Sequence, residues 1–206
     1  MENLVQAMKD AIQANGLVQV ETSARHVHLS QTDLEQLFGV GYKLTCKRAL
    51  SQPGQYLAEE KITLVGPKGE KKISILGPAR VKTQIELSRS DCMMLGMTAP
   101  IRLSGQLNGS SAFVLKGPNG VVALSEGAII AKAHIHVPPE MADRLKLVDK
   151  QRVRLEIITE RPVILQDVIV RVDEASSYKA HIDTDEANAA ACEGFTLGRI
   201  IDSRMK

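Results

Sequence analysis

Residues 23–37 read SARHVHLSQTDLEQL, and residues 131–145 read AKAHIHVPPEMADRL. Each stretch places a His-x-His on an apolar background, then a turn signal, then a short helical pattern. The two lie 108 residues apart, about half of the 206-residue chain. A weaker echo follows in each half. Glu86 opens ELSRSD and His181 opens HIDTDE, each a polar residue at a strand end followed by an apolar residue, a cap and a helix. Two copies predict an old duplication into two related small β domains, not a solenoid. The junction falls within 124–132.

Outward from these stretches the chain reads mainly as β with short helices. Strand patterns cover Ile62–Val65, Lys72–Leu76, Ile101–Leu103, Phe113–Leu115, Val121–Leu124, Val153–Ile158 and Val163–Val172. GPKGE at 66–70 and GPNG at 117–120 read as turns. Helices are expected at Thr32–Phe38, Ser90–Leu95, Glu140–Leu145 and Glu186–Cys192, behind Ser30, Ser88, a Pro pair and Asp183. Many short strands with regular turns indicate barrels or sandwiches. At the N-terminus, segment 2–14 reads as a short amphipathic helix, with Val5, Met8 and Ile12 on one face, stopped by Asn15-Gly16. Such a helix packs on its own domain or docks to another protein.

Composition narrows the function classes. Hydrophobic residues make up 44% and charged residues 24%, enough for a sizeable core. A net charge of +2 and six aromatics, none of them Trp, argue against a nucleic-acid or membrane partner. Cys46, Cys92 and Cys192 form no CxxC, which suits a reducing cytoplasm. No apolar run long enough to span a bilayer and no secretory signal are read in the sequence.

The histidines carry the chemistry. Four of the five, His26, His28, His134 and His136, fall into His-x-His pairs. On a strand, residues i and i+2 point to one face, so each pair aims two imidazoles at one point. The duplication suggests a third ligand in each half: Glu86 for His26/His28, and His181 for His134/His136. His₂Glu and His₃ are both sets that leave a position open on a catalytic zinc, and Co²⁺, Ni²⁺ or Fe²⁺ would suit them too. The two metals would share one cleft or form two mononuclear sites. Asp183, Asp185 and Glu186 read as helix caps, with a supporting role for His181 as the alternative.

Arg80, in GPAR six residues before Glu86, is a candidate for gripping phosphate or carboxylate; Arg25 and Arg102 are others of the same kind. Ser104-Gly105 follows a strand and offers a hydroxyl. QPGQY at 52–56 lines a ligand or closes a hairpin. No Walker loop, dinucleotide fingerprint or GxSxG is present.

SARHVHLS, QPGQY, GPAR with TQIELS, APIRLSG, the second HIH and HIDTDEANAA together resemble the PduL-type phosphate propanoyltransferases, phosphotransacylases of bacterial microcompartments. The resemblance runs from about residue 18 to 202. It implies two β-barrel domains, here 18–127 and 128–206 after an N-terminal segment 1–17, with a dimetal, usually zinc, site between them. It implies reversible transfer of a short acyl group between coenzyme A and inorganic phosphate. The family's metal ligands fall on His26, His28, Glu86, His134, His136 and His181, its phosphate-binding arginine on Arg80 and its SG motif on Ser104. Segment 2–14 resembles an encapsulation peptide, implying a cytoplasmic protein inside a microcompartment, with shell or cargo proteins as partners. Ala133 stands where an arginine is common, and Lys179-Ala180 where a Met is expected; neither removes a metal ligand, and the missing arginine bears on coenzyme A or acyl preference. A metal-dependent thioester or phosphoester hydrolase, and a scaffold with structural metal, are the rival readings.

Overall fold

The computed structural model describes residue 11 and residues 15–201. The expected helix at 2–14 lies, Ala11 apart, outside the described residues. In chain order the elements are β1 (Leu17–Ser23), β2 (His26–His28), α1 (Gln31–Phe38), β3 (Cys46–Ala49), β4 (Tyr56–Gly66), β5 (Gly69–Gly77) and β6 (Gln84–Leu87). Next come α2 (Arg89–Leu95), β7 (Ile101–Arg102), β8 (Ser111–Lys116), β9 (Val121–Ala131), β10 (His134–Val137) and α3 (Pro139–Leu145). The last are β11 (Arg152–Ile158), β12 (Val163–Val172), β13 (Lys179–Asp183), α4 (Thr184–Ala189) and β14 (Thr196–Ile201). No helix among the described residues is long and apolar enough to cross a membrane.

The strands close into two six-stranded barrels. In one, β4 pairs with β5, β5 with β2, β2 with β6, β6 with β9, β9 with β8, and β8 returns to β4. The other runs β1-β13-β10-β12-β11-β14 and closes on β1. The correspondence is strand for strand. β2 lies between a parallel β5 and an antiparallel β6. β10 lies likewise between a parallel β12 and an antiparallel β13. Each barrel has its own core, Val27, Ile75, Ile85 and Leu115 being central in one and Ile135, Leu155, Val170 and Ile182 in the other.

The compact units are Ser23–Lys132 on one side, and the chain up to Thr22 with the chain from Ala133 on the other. The division expected at 127/128, with 18–22 in the first barrel, differs from this for a definite reason. β1 pairs with β14, Leu17 opposite Arg199 and Val20 opposite Thr196, so it belongs with the second half. β9 continues past 127, pairing Ile85 with Ala128 and Leu87 with Ile130, so it belongs with the first. Each repeat therefore gives its opening strand to the other repeat's barrel. Nothing local in the sequence signals that exchange, because strand pairing is a long-range choice.

The helices follow their caps. Ser30 accepts from the Asp33 N–H, and Ser88 with Asp91 forms a capping box on α2. Asp183 accepts from the Glu186 N–H at 2.8 Å while Glu186 accepts from the Asp183 N–H at 2.9 Å. That box starts α4 at Thr184, earlier than the expected 186, and makes Asp183 and Glu186 caps. Two glycines explain how α1 and α2 are seated. A Cβ on Gly66 would lie 2.5 Å from the Leu95 carbonyl oxygen, and one on Gly117 would lie 2.5 Å from that of Leu37. Two residues on, the Lys68 and Asn119 N–H groups each donate to those same carbonyls at 3.0 Å. The two Gly-Pro-x-Gly turns thus each satisfy an open C-terminal carbonyl of a short helix at backbone contact.

Candidate functional site

β2 alternates as a strand must. Val27 is wholly buried in the core, and His26 and His28 share the other face. Antiparallel β6 sets Glu86 opposite His26 and Gln84 opposite His28, so four polar side chains occupy one face of a two-strand ribbon. All four are buried. His26 Nδ1 lies 2.9 Å from the Ala24 carbonyl oxygen, which makes Nδ1 the protonated nitrogen. The other ring nitrogen, Nε2, faces Glu86 Oε2 at 3.6 Å. The His26 and His28 rings meet edge to face, with centroids 5.0 Å apart.

The same construction recurs on β10 and β13. His134 stands opposite His181, His136 opposite Lys179, and between them Ile135 and Ala180 point into the core. His134 Nε2 and His136 Nε2 are 3.1 Å apart, and both rings pack edge to face against His181, with centroids 5.4 and 4.9 Å away. In each half one nitrogen or carboxylate oxygen from each of three residues lies within 4.8 Å of the others.

These donor sets fit a divalent ion. A tetrahedral ion with metal–ligand bonds of about 2.0–2.1 Å requires donors about 3.3 Å apart, near the 3.1 and 3.6 Å found here. His28 adds a second indication. Burial first, then the neighbouring His26 and Arg80 charges, push its pKa down to about 2, so the ring is neutral with its lone pair available. Its Nδ1 is buried without a well-formed hydrogen bond, the Leu76 backbone giving only an opposing pull toward protonation.

Arg80 is brought to the first group. Its backbone N–H donates to the Leu29 carbonyl at 2.8 Å, placing it just past β2. Its Nη1 donates to Ser104 Oγ at 3.2 Å, and its charge acts on His28. The segment is clamped from below. The Ser30 N–H donates to Thr83 Oγ1 at 2.8 Å, and the Thr83 hydroxyl donates to Asp33. Arg25 instead pairs with Asp91 on α2 at 2.6 Å, and exposed Arg102 donates to the Ile101 carbonyl. The 52–56 turn closes the β3–β4 hairpin through Gln55 N–H to the Gln52 carbonyl. The three cysteines form no disulfide and belong to neither donor group.

Sequence reasoning missed two side chains. Gln84 donates to Glu86 Oε1 at 2.6 Å and to Ser104 Oγ at 2.9 Å. Its position two residues before Glu86 on a strand is a signal that would have found it. Glu21 lies 3.4 Å from His181 Nε2 and 3.2 Å from Lys179 Nζ. It arrives on the exchanged strand β1, so spacing could not reveal it.

Comparison with known proteins agrees with the motifs. The family model for phosphate propanoyltransferase matches residues 19–193. The phosphate propanoyltransferase of Clostridioides difficile (strain 630) is 41% identical over 206 residues, spanning 98% of this chain and 99% of its own. That of Thermotoga maritima is 49% identical over 185 residues, 89% and 88% of the two chains. That of Enterococcus faecalis is 44% identical over 187 residues, 90% and 87%. The chain therefore belongs to the phosphate propanoyltransferase family and is a transferase enzyme.

Proposed function

We propose that the chain transfers a short acyl group reversibly between coenzyme A and inorganic phosphate, with divalent metal ions of the zinc type held by His26, His28 and Glu86 and by His134, His136 and His181. The observation that carries this reading is the chain of contacts Arg80–Ser104–Gln84–Glu86, which sets an anion-binding side chain and a hydroxyl beside a metal-type donor group. The Arg80 guanidinium grips phosphate and offsets its repulsion from the approaching thioester. A phosphate oxygen attacks the thioester carbonyl carbon, and the Ser104 hydroxyl donates to the oxygen on which negative charge develops. Collapse breaks the C–S bond. The proton lost by hydrogen phosphate ends on the thiol, leaving acyl phosphate and free coenzyme A. Ions bound at the two groups supply Lewis acidity and stabilise thiolate. No acyl-enzyme is needed, and the cysteines stand outside the site.

The test is to mix the metal-loaded protein with acetyl-CoA and propanoyl-CoA, with and without phosphate, and to follow free thiol. Release that requires phosphate is expected. Release without phosphate would make the protein a hydrolase, and no release with either thioester would reject the reading. Segment 2–14 completes the proposal as an encapsulation peptide for a bacterial microcompartment. Its removal should leave turnover intact and abolish co-purification with shell proteins.

A further inference from the structure

Gln84 is among the most buried polar residues of the protein, and its hydrogen bonds leave it one orientation. The Gly105 N–H, which can only donate, lies 2.7 Å from Gln84 Oε1. The amide oxygen is therefore on that side, and the NH₂ faces the other way. One of its hydrogens goes to Glu86 Oε1 at 2.6 Å and the other to Ser104 Oγ at 2.9 Å. Two consequences follow by counting donors and acceptors. First, Glu86 Oε1 accepts from Gln84, which turns the other oxygen, Oε2, toward His26 Nε2 at 3.6 Å. Second, Ser104 Oγ has two lone pairs, and it receives one hydrogen bond from Gln84 and another from Arg80 at 3.2 Å. Its own proton must then be given to a third group.

We infer that Gln84 is a positioning residue that links the two halves of the chemistry, presenting one fixed oxygen of Glu86 to the metal and holding Ser104 as an obligate hydrogen-bond donor to the substrate. The inference rests on the acyl-transfer reading above for its second task and on the donor geometry alone for its first. A hydroxyl free to rotate would donate to a neighbour as readily as to an oxyanion. With both lone pairs filled, it meets developing charge without reorganising, which is where such donors are most effective.

The test uses full-length protein carrying Gln84→Glu and, separately, Gln84→Met. Glutamate keeps the shape but turns the donating face into an acceptor against Glu86. Methionine keeps length and bulk without polarity, so a role in packing alone would survive it. The first readout is release of zinc to a chromogenic chelator, which needs no turnover. Both variants should lose zinc from one group about 10–100-fold more readily, the usual effect of removing an outer hydrogen-bonding partner. The second readout is phosphate-dependent thiol release, with kcat falling about 100-fold and the KM for thioester changing little. Zinc release and kcat at wild-type levels in Gln84→Met would overturn the inference. If wild-type protein releases thiol only by hydrolysis, or not at all, the acyl-transfer reading fails, while the zinc comparison still decides whether Gln84 supports Glu86. Should neither variant fold, the wild-type Gln84 side-chain amide decides. Its ¹⁵N-attached protons should be protected from exchange and should shift on adding zinc, and fast exchange with no shift would overturn the inference.

Discussion

Glu86→Gln separates a metal ligand from a structural residue, because the surroundings determine what the new amide does. Glu86 is buried, with Oε1 accepting from Gln84 at 2.6 Å. In the variant the amide oxygen keeps that bond, so the NH₂ turns to the place of Oε2, facing His26 Nε2. With Nδ1 donating to the Ala24 carbonyl, Nε2 is the ring nitrogen that meets the new amide. The new NH₂ donates to it. One substitution without change of shape thus removes the carboxylate and occupies the imidazole beside it. A loss of at least about 100-fold in affinity at this group is expected, more than the about 10–100-fold typical of an outer partner. At a metal concentration 100 times the wild-type Kd, binding stabilises the protein by about 2.7 kcal/mol; after a 100-fold loss it stabilises by about 0.4 kcal/mol. At about 2–4 °C per kcal/mol for a chain of this size, the metal-induced rise in Tm shrinks by about 5–9 °C. The opposite sign holds without metal. A buried carboxylate is costly to desolvate, so the metal-free variant should melt no lower than metal-free wild type. Differential scanning calorimetry with and without chelator measures both, the unaltered His134/His136/His181 group contributing equally to each protein. An undiminished metal-induced rise, or a metal-free variant melting many degrees below wild type, would refute the reasoning.

Arg80→Ala should cut kcat/KM for phosphate by about 100-fold or more while metal content stays at the wild-type value, and Arg80→Lys should restore only part of it because a point charge cannot make the guanidinium's forked contact. Steady-state kinetics at varied phosphate would show unchanged values if Arg80 lies outside the site. Gly117→Ala forces a Cβ within 2.5 Å of the Leu37 carbonyl oxygen, so α1 or the turn must shift, at a cost of about 1–3 kcal/mol read as a lower Tm. Asp91→Ala removes the cap on the Ser88 N–H and the Arg25 partner together and should cost about 1–3 kcal/mol in denaturant unfolding, with metal affinity nearly unchanged.

The candidate site was legible where chemistry follows local period. His26 with His28, and His134 with His136, are two apart on strands, and the duplication pointed to Glu86 and His181 at one place in each repeat. The register shows what the two positions share: Glu86 stands opposite His26 as His181 stands opposite His134. Caps at Ser30, Ser88 and Asp183 were legible for the same reason, since a helix start is decided within four residues. What stayed hidden depends on which strands become neighbours. The exchange of β1 and β9 between barrels is fixed by pairings such as Leu17 with Arg199, at opposite ends of the chain. Glu21 was invisible because its partners Lys179 and His181 are brought to it only by that exchange.

The exchange also bears on why two copies of one frame hold unlike donor groups. Gln84 and Lys179 occupy one register position, opposite His28 and His136. In the first barrel a neutral amide supports a charged third donor, Glu86. In the second an ammonium lies beside an imidazole third donor, His181, and the carboxylate that answers it is Glu21 on β1. The residue 108 positions after Glu21 is Ile129 on β9, wholly buried and in register with Glu86. So the strand entering from the other repeat supplies charge to one group and apolar cover to the other. The duplicated strands fix where three donors converge. The copies have diverged on both kinds of strand: β6 carries Glu86 and Gln84 where β13 carries His181 and Lys179, and the exchanged strands carry Glu21 in one place and Ile129 in the other.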